Sequence, residues 1–290
     1  MGRRGFLAAT VIVGALLAGC AGEDGAQPSP PRAEQPLTAT PAPVDPTALI
    51  GNWHLVGVAE EPQGVLRVAP HQIQLFGRCG MHTGSWRADS GGLFVAAMFG
   101  ISGPRRGDGC TADPRQLVGW LQRATGYRLE GDNPILVDEA GAQVARLRPG
   151  ATPTPGPHLA PSEVAPPTLT DEDRRRFAPA AALPANLRPV DPTRLVGRWA
   201  PARGPETVYV EFRADGEWRG SDGCNGQGGR WVAGPGGALL ATSGPSTLIG
   251  CEGEPVGAWL SSSWRAGLDG ETLVLLDAGA GEIGRLRPAG

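Results

Sequence analysis

Cysteine and histidine are the residues with the most specific chemistry in this sequence. Cys79, His82 and Cys110, with His71 nearby in the chain, offer the nitrogen and sulfur ligands that zinc prefers. The catalytic histidine of a Ser–His–Asp or Cys–His hydrolase could come only from the first copy, because residues 159–290 contain no histidine. Its candidates are His54, His71 and His82. We expect neither site, since a solvated histidine in a turn is the simpler interpretation.

A glycine-rich stretch, GCNGQGGRW at residues 223–231, raises the question of phosphate binding. Phosphate loops place glycines where a strand turns into a helix, so that backbone N–H groups face the anion. Here the glycines lie between two apparent strands, and neither phosphate-loop pattern fits; they are Gly223, Gly226, Gly228 and Gly229. The stretch is predicted to be a β-turn or bulge, in which glycine supplies a positive φ.

Charge argues against several further functions. The formal net charge is −3, which gives no reason to expect nucleic acid as a partner. The chain has no lysine, which excludes Schiff-base chemistry, a Ser–Lys dyad and the P-loop lysine. Asp215, Glu217 and Asp222 cluster in one predicted hairpin, where a solvated face or turn is more common than an acid–base pair.

The N-terminus predicts export and lipid attachment. Arg3 and Arg4 precede an apolar run, Phe6–Leu17, that is too short to span a membrane in a mature protein. The run ends in Leu-Ala-Gly-Cys20, which resembles the lipobox of bacterial lipoproteins. That resemblance implies a diacylglyceryl group on Cys20, a stable anchor, and an extracytoplasmic location at the cell membrane. The alternatives are an ordinary secretory signal with a chance cysteine and an uncleaved anchor.

A long internal repeat organises the rest of the chain. VDPTALIGNW at residues 44–53 recurs as VDPTRLVGRW at residues 190–199, a match too long for chance. Cys79 and Trp86 match Cys224 and Trp231 in the same register. The predicted organisation is a signal peptide at 1–20, a disordered tether at 21–45, a first domain at 46–149, a Pro-rich linker at 150–191 and a second domain at 192–288.

Each copy predicts short strands and one helix. Residues 207–221 alternate apolar and polar side chains and turn at Asp215-Gly216, a strong hairpin signal. Helical spacing is repeated at matching positions in the two copies, by Leu117, Trp120 and Leu121 and by Val256, Trp259 and Leu260. We expect a mainly β fold of two small antiparallel β-domains, each with one short helix. The linker is expected to be a mostly disordered spacer that uncouples them, with a short helix capped by Thr170.

The second copy resembles the META domain of bacterial heat-inducible lipoproteins. The resemblance rests on a Gly-Cys-Asn turn, a following glycine and aromatic residue, and Thr-x-x-x-Cys; the positions are Gly223, Cys224, Asn225, Gly229, Trp231, Thr247 and Cys251. It implies a compact, mostly β fold and a role in envelope stress, drug tolerance or secretion, without established catalytic residues. The first copy is degenerate, because Gly80 stands where asparagine is expected and Arg106 where threonine is expected.

The cysteines fall into an anchor and two matched pairs. Cys20 is the lipidation site, and the pairs Cys79/Cys110 and Cys224/Cys251 occupy corresponding positions in two exported domains. One disulfide in each domain is therefore expected, and each would contribute about 3.5 kcal/mol on the chain-entropy model. Free buried thiols, metal ligation and a redox role are the alternatives.

Tryptophan is the remaining signal of binding. Six of the eight tryptophans recur in both copies, which favours core packing, whereas Trp218 and Trp264 are unique to the second copy and could be exposed binding aromatics. We expect a monomeric, non-catalytic, stress-associated binding or scaffold lipoprotein without cofactor, whose protein or small-molecule partner is unknown. The alternatives are a binding protein or inhibitor for a secreted protein or small ligand, and a metal-dependent or hydrolytic enzyme confined to the first domain.

The predicted cysteine pairing is tested by a non-reducing peptide map of the exported protein, with thiols and metal counted in the same sample. We expect the links 79–110 and 224–251, no free thiol and no metal. Free Cys79 and Cys110 together with stoichiometric zinc would contradict the pairing and would favour a metal site in the first domain.

Overall fold

The computed structural model describes residues 43–102, 114–154, 159–201, 203–247, 249–250 and 253–289, all of which belong to one compact unit. The fold is mainly β, as predicted. The predicted signal peptide with Cys20, the predicted tether up to residue 42, and Cys110 and Cys251 lie outside the described residues. No helix in the described part of the chain is long and apolar enough to cross a membrane.

The first copy, called domain 1 below, is an eight-stranded antiparallel sheet with one helix. Its elements are β1 (Gly51–Val56), β2 (Val65–Ala69), β3 (Gln72–Gly77), β4 (Gly80–Ala88), β5 (Phe94–Ser102), α1 (Pro114–Gln122), β6 (Gly126–Glu130), β7 (Asn133–Val137) and β8 (Gln143–Pro149). The strand order is β5-β4-β3-β2-β1-β8-β7-β6, and the sheet curls into a half-barrel whose two edges approach at an isolated bridge, Leu93–Gly126.

The linker contributes three short elements, α2 (Pro161–Val164), α3 (Asp171–Arg176) and β9 (Arg188–Pro189). A fourth, α4 (Pro192–Leu195), follows at the start of the second copy. Helix α3 begins after Thr170, whose hydroxyl accepts a hydrogen bond from the Asp173 N–H, so the predicted cap is confirmed.

The second copy, called domain 2 below, repeats the order of domain 1 and closes fully. Its elements are β10 (Gly197–Pro201), β11 (Val208–Phe212), β12 (Glu217–Asp222), β13 (Gly226–Gly234), β14 (Ala238–Ala241), α5 (Val256–Ser262), β15 (Arg265–Asp269), β16 (Thr272–Leu276) and β17 (Glu282–Pro288). Pairing of β14 with β15 closes an eight-stranded barrel, and β9 adds to the outer side of β15.

The repeated VDPT segment locks the entry to each domain in the same way. Asp45 and Asp191 each accept a hydrogen bond from the N–H two residues ahead, at 2.8 Å, and proline occupies the first helical position. The indole N–H of Trp53 then donates to the Leu49 carbonyl at 2.8 Å, and that of Trp199 to the Leu195 carbonyl at 2.7 Å. Each helical turn thereby fixes the first core tryptophan of its strand.

The linker is packed against both domains, which differs from the expected uncoupled spacer. Phe177 stacks on Trp86 of domain 1 with ring centroids 5.5 Å apart. Leu187 packs against Val274 and Leu276 of domain 2, where β9 also pairs. The local proline content disfavours regular elements, but it does not prevent apolar side chains from finding a surface.

Polar side chains of domain 1 also hold the linker. The Arg67 guanidinium donates to the carbonyls of Ser162 and Ala165, and the Asn52 amide donates to the Val164 carbonyl at 3.0 Å. These bonds satisfy carbonyls at the C-terminal end of α2, which lack partners within the helix.

The two domains meet through equivalent faces. Strands β4 and β5 of domain 1 contact β13 and β14 of domain 2, and Val95, Val232 and Leu240 form the apolar centre of the contact. Arg87 on β4 donates to the carbonyls of Ser261 and Ser263 at the end of α5, at 2.7 and 2.6 Å. The Arg87 guanidinium also lies 4.6 Å from the ring centroid of Trp264.

A second arginine makes the reciprocal contact. Arg230 on β13 donates to the Gln122 carbonyl at the C-terminal end of α1, at 2.9 Å. Each domain therefore sends one cation to the negative end of the helix of the other. Burial lowers the pKa of Arg87 to about 9, and the carbonyls that it contacts compensate for that burial.

Replacement of Arg87 should weaken the contact between the domains. Arg87→Ala removes two short charge-assisted hydrogen bonds and the contact with Trp264, so we expect a loss of about 2–4 kcal/mol in the free energy of unfolding, measured in urea. The control is Arg285→Ala, whose exposed ion pairs with Asp269 and Glu282 should leave the midpoint unchanged. Equal losses in the two variants would contradict a special role for Arg87.

Candidate functional site

The glycine-rich stretch forms the turn between β12 and β13, as predicted. Gly223 has φ 103°, a conformation that favours glycine. Gly229 has no room for a side chain, because a Cβ there would lie 2.1 Å from the Thr242 carbonyl oxygen. The indole N–H of Trp231 donates to the Arg213 and Glu217 carbonyls, which ties the turn region to the preceding hairpin. Gly229 and Trp231 therefore stabilise the barrel of domain 2.

Asp222 is the acceptor around which this turn is built. Its Oδ1 accepts the N–H groups of Cys224 and Asn225 at 2.9 and 2.6 Å. Its Oδ2 accepts the Asn225 side-chain amide at 3.0 Å and lies 3.5 Å from the Gln227 Nε2. Hydrogen bonds from Asn225 and Cys224 lower the pKa of Asp222. The hydrogen bonds that the Asp222 carboxylate accepts therefore stabilise the turn.

Asn225 joins the turn to the segment that follows β14. Its side-chain oxygen accepts the Thr247 hydroxyl at 2.7 Å and the Ile249 N–H at 2.8 Å. Its amide nitrogen donates to the Ile249 carbonyl at 2.9 Å. Two motif residues that are far apart in sequence, Asn225 and Thr247, are therefore in direct contact.

The corresponding end of domain 1 contains two buried polar groups without full hydrogen bonding. Glu61 is 2% exposed; its Oε2 accepts the Arg78 N–H at 3.2 Å, whereas its Oε1 has no partner. His82 is 4% exposed, and its Nε2 has no partner. Burial raises the pKa of Glu61 and lowers that of His82, so it favours the uncharged form of each group. Sequence reasoning missed Glu61, because its loop carries no motif.

The three histidines that the structure describes, His54, His71 and His82, do not assemble into a catalytic group with one another. His54 is exposed on β1, and His71 is a surface residue whose Nε2 lies 3.2 Å from Asp173 and whose Nδ1 contacts Arg176. His82 points into domain 1, because it pairs with the core residue Leu75. Among the described residues, no group of three or more histidine, cysteine or acidic side chains is placed to hold a metal.

The structure does not expose the two tryptophans unique to domain 2, since Trp218 is buried and Trp264 is partly buried, so the expectation of exposed binding aromatics is wrong. Trp218 is 1% exposed, lies in the core and donates its indole N–H to the Thr242 carbonyl at 2.7 Å. Trp264 packs in the contact between the domains, under Arg87. The prediction of a solvated face or turn fits the structure, since Asp215 and Glu217 lie on the surface beside Arg213 and Asp222 lies in the β12–β13 turn.

The cysteines of the predicted pairs lie at equivalent turns. Cys79 is in the β3–β4 turn and Cys224 in the β12–β13 turn. Their expected partners, Cys110 and Cys251, lie outside the described residues, so the pairing stays a prediction.

A groove of about 380 Å³ lies beside the first described residues of the chain. Its walls include Val44, Pro46, Phe177 and Pro179, and its charged groups are Asp45 and Arg174. Its volume is within the range typical of small-ligand pockets, and its walls are mostly apolar.

Comparison with protein-family models, with curated proteins and with solved structures finds no match for this chain.

Removal of the Asn225 side chain should destabilise domain 2 strongly. Asn225→Ala deletes four hydrogen bonds of a buried amide and leaves the Asp222 carboxylate and the Ile249 backbone with fewer partners. We expect a loss of about 2–4 kcal/mol. Thr247→Val, which removes one of those four bonds, should cost about 1 kcal/mol by the same measurement of urea unfolding. If the two variants lose the same stability, Asn225 is not the link between the segments.

Proposed function

We propose that this protein is a lipid-anchored, extracytoplasmic scaffold or binding module with two META-like domains and no catalytic activity. The lipobox at Cys20 supports the anchor, and the repeated motif supports the two META-like domains. The observation that carries the scaffold role is the contact between the domains. Arg87 and Arg230 bridge it reciprocally, and the linker packs on both sides.

A rigid pair of domains suits a scaffold because it presents two surfaces at a fixed separation. When a partner contacts both surfaces, little conformational entropy is lost, because the two domains are already fixed relative to each other. The motif residues support the same role, since Asn225, Thr247 and Trp231 are engaged in hydrogen bonds that stabilise domain 2. A role in envelope stress rests on the family resemblance.

Small-ligand binding is a second candidate, supported by the 380 Å³ groove. Arg174 is exposed at its edge, and no ion pair involves it among the described side chains. An apolar ligand that carries an anionic group would complement those walls and that cation.

The anchor is tested by labelling cells with a palmitate analogue. The wild-type chain should take up the label and sediment with membranes, and Cys20→Ala should lose both properties. Gly19→Ala keeps a small residue before the cysteine and should retain both. Equal labelling of the Cys20→Ala variant would contradict lipid attachment at this residue.

The scaffold role is tested in the same cells after a heat challenge. A strain without the protein should be rescued by the wild-type chain and by His71→Ala, but not by Cys20→Ala or Arg87→Ala. Loss of rescue in His71→Ala at normal protein abundance would instead favour an enzyme in domain 1.

A further inference from the structure

A row of polar side chains crosses the outer face of three strands of domain 1. Asn52 on β1 pairs with Arg67 on β2, and Arg67 pairs with Gln74 on β3. The next residues along β2 and β3, Leu66 and Ile73, point into the core, so the row points outward. Its side chains are nevertheless buried, with 8%, 8% and 1% of their surface exposed. The Arg67 Nη1 donates to the Gln74 Oε1 at 3.0 Å, which orients the guanidinium.

This polar row holds the linker turn α2 through main-chain atoms. The Asn52 Nδ2 donates to the Val164 carbonyl at 3.0 Å. The Arg67 Nε and Nη2 donate to the carbonyls of Ala165 and Ser162 at 3.0 and 3.3 Å. No residue of α2 is buried, and within the described part of the chain no hydrogen bond joins the polar row to a linker side chain. The contact therefore depends on the path of the linker main chain.

The linker leaves one acceptor of the polar row unsatisfied. The Asn52 Oδ1 is buried and has no hydrogen-bond partner among the described residues. In a helical turn the N–H groups point away from the C-terminal carbonyls, so the turn that gives Asn52 a carbonyl does not also give it an N–H. Two of the residues that follow the turn, Pro166 and Pro167, have no N–H at all. Buried polar atoms without partners are rare and costly.

An extended peptide offers the donor that the linker lacks. In an antiparallel strand pair, one residue presents both its N–H and its C=O to the same side. A carboxamide also presents an N–H and a C=O side by side, so one extended residue would satisfy both ends of the Asn52 side chain. Arg67 would then donate to a further carbonyl of the same peptide.

Apolar side chains flank the polar row on the same face. Val65 and Phe76 pair with each other, and each lies two residues from a member of the polar row, so both point outward. Neither belongs to the core cluster of domain 1. They offer a surface for an apolar side chain of a bound peptide.

We propose that the polar row of Asn52, Arg67 and Gln74 binds an extended peptide segment of a partner protein, which displaces the linker turn α2. The segment has no proline at the residue that Asn52 contacts, and its apolar side chains pack on Val65 and Phe76. The linker is an intramolecular competitor at an effective concentration in the millimolar range, so it weakens partner binding until it is released. This inference rests on the binding role proposed above and names its surface and its kind of partner.

The proposal is tested with a fluorescein-labelled peptide, Thr-Val-Thr-Val-Thr-amide, whose β-branched residues favour an extended chain. Full-length protein in detergent micelles is titrated into it, and fluorescence anisotropy is measured. The triple variant Ser162→Gly, Glu163→Gly and Val164→Gly loosens α2 while it keeps the carbonyls in the chain, and it should bind about tenfold more tightly than the wild type, or better. Equal binding by the two proteins, or binding by neither, would overturn the proposal.

The contact with Asn52 is tested with two methylated peptides. Methyl groups on the threonine nitrogens or on the valine nitrogens remove the N–H groups from one edge or the other. One of these peptides should bind the triple variant about fivefold more weakly, and the other should not. With Asn52→Leu added, the three peptides should bind equally weakly, whereas Arg198→Ala, at the matching position of domain 2, should change nothing. A difference between the peptides that survives Asn52→Leu would contradict the contact.

Displacement of the linker is measured by hydrogen exchange in the wild-type protein. The Ala165 N–H donates to the Pro161 carbonyl at 3.0 Å, and a saturating amount of peptide should speed its exchange. The Phe177 N–H donates to the Asp173 carbonyl in α3 and should keep its rate. Bound peptide with unchanged exchange at Ala165 would mean that the peptide binds elsewhere, which would refute displacement.

A second copy of the chain is the competing occupant, and it is tested by analytical ultracentrifugation of the triple variant without peptide. We expect a monomer. A dimer would identify the linker of a second copy as the occupant and would overturn the proposal. These outcomes are independent of palmitate labelling, which tests only the anchor at Cys20, so failure of this proposal is distinguishable from failure of the proposed function.

Discussion

The pairing of the first strand of each copy with its last is the constraint on which this structure depends. β1 pairs with both β2 and β8, and β10 pairs with both β11 and β17, so each copy returns to its own starting point. Sheets with open edges invite pairing with other chains, and closure or near-closure avoids that hazard. Because the first and last strands of each copy pair with each other, the sequence can be duplicated without mixing the strands of the two domains. The linker then runs from β8 to β10 across the outside.

Local patterns were enough to predict the strands, the hairpins and the repeat, but not the contacts between distant segments. The alternation of residues 208–212 and the Asp-Gly turn are short-range signals, and they appear in the structure as β11, β12 and their turn. The expectation that the linker leaves the two domains uncoupled was wrong. The backbone carbonyls to which Arg67 donates lie almost a hundred residues away in the sequence, and backbone acceptors have no sequence signature. The exposure of Trp218 was predicted wrongly. A tryptophan that occurs in only one copy can still lie on the face of β12 that packs in the core. Glu61 was missed because only the fold brings it to Gly77.

The turns at Cys79 and Cys224 each have a carboxylate that accepts backbone N–H groups, but the two carboxylates come from different parts of the chain. In domain 2 the carboxylate, the amide and the hydroxyl that stabilise the turn come from the turn itself and from one nearby segment, and every bond is made. In domain 1 the Glu61 carboxylate comes from the loop between β1 and β2 and accepts the Arg78 N–H, and Gly80 supplies no side-chain amide. A complete polar network gives rigidity, whereas an incomplete one costs stability unless something else completes it. The hydrogen bonds of Asn225, Thr247 and Trp231 are therefore evidence about the stability of domain 2.

The reciprocal arginine contacts also bear on how such a chain can evolve. In a symmetric homodimer, each substitution is made in both subunits at once, so neither half can change alone. Joining the halves in one chain turns association into an intramolecular step with an effective concentration in the millimolar range. The interface then no longer depends on how much protein the cell makes. One domain can then keep the residues that preserve its structure, while the other domain accepts substitutions at the same positions.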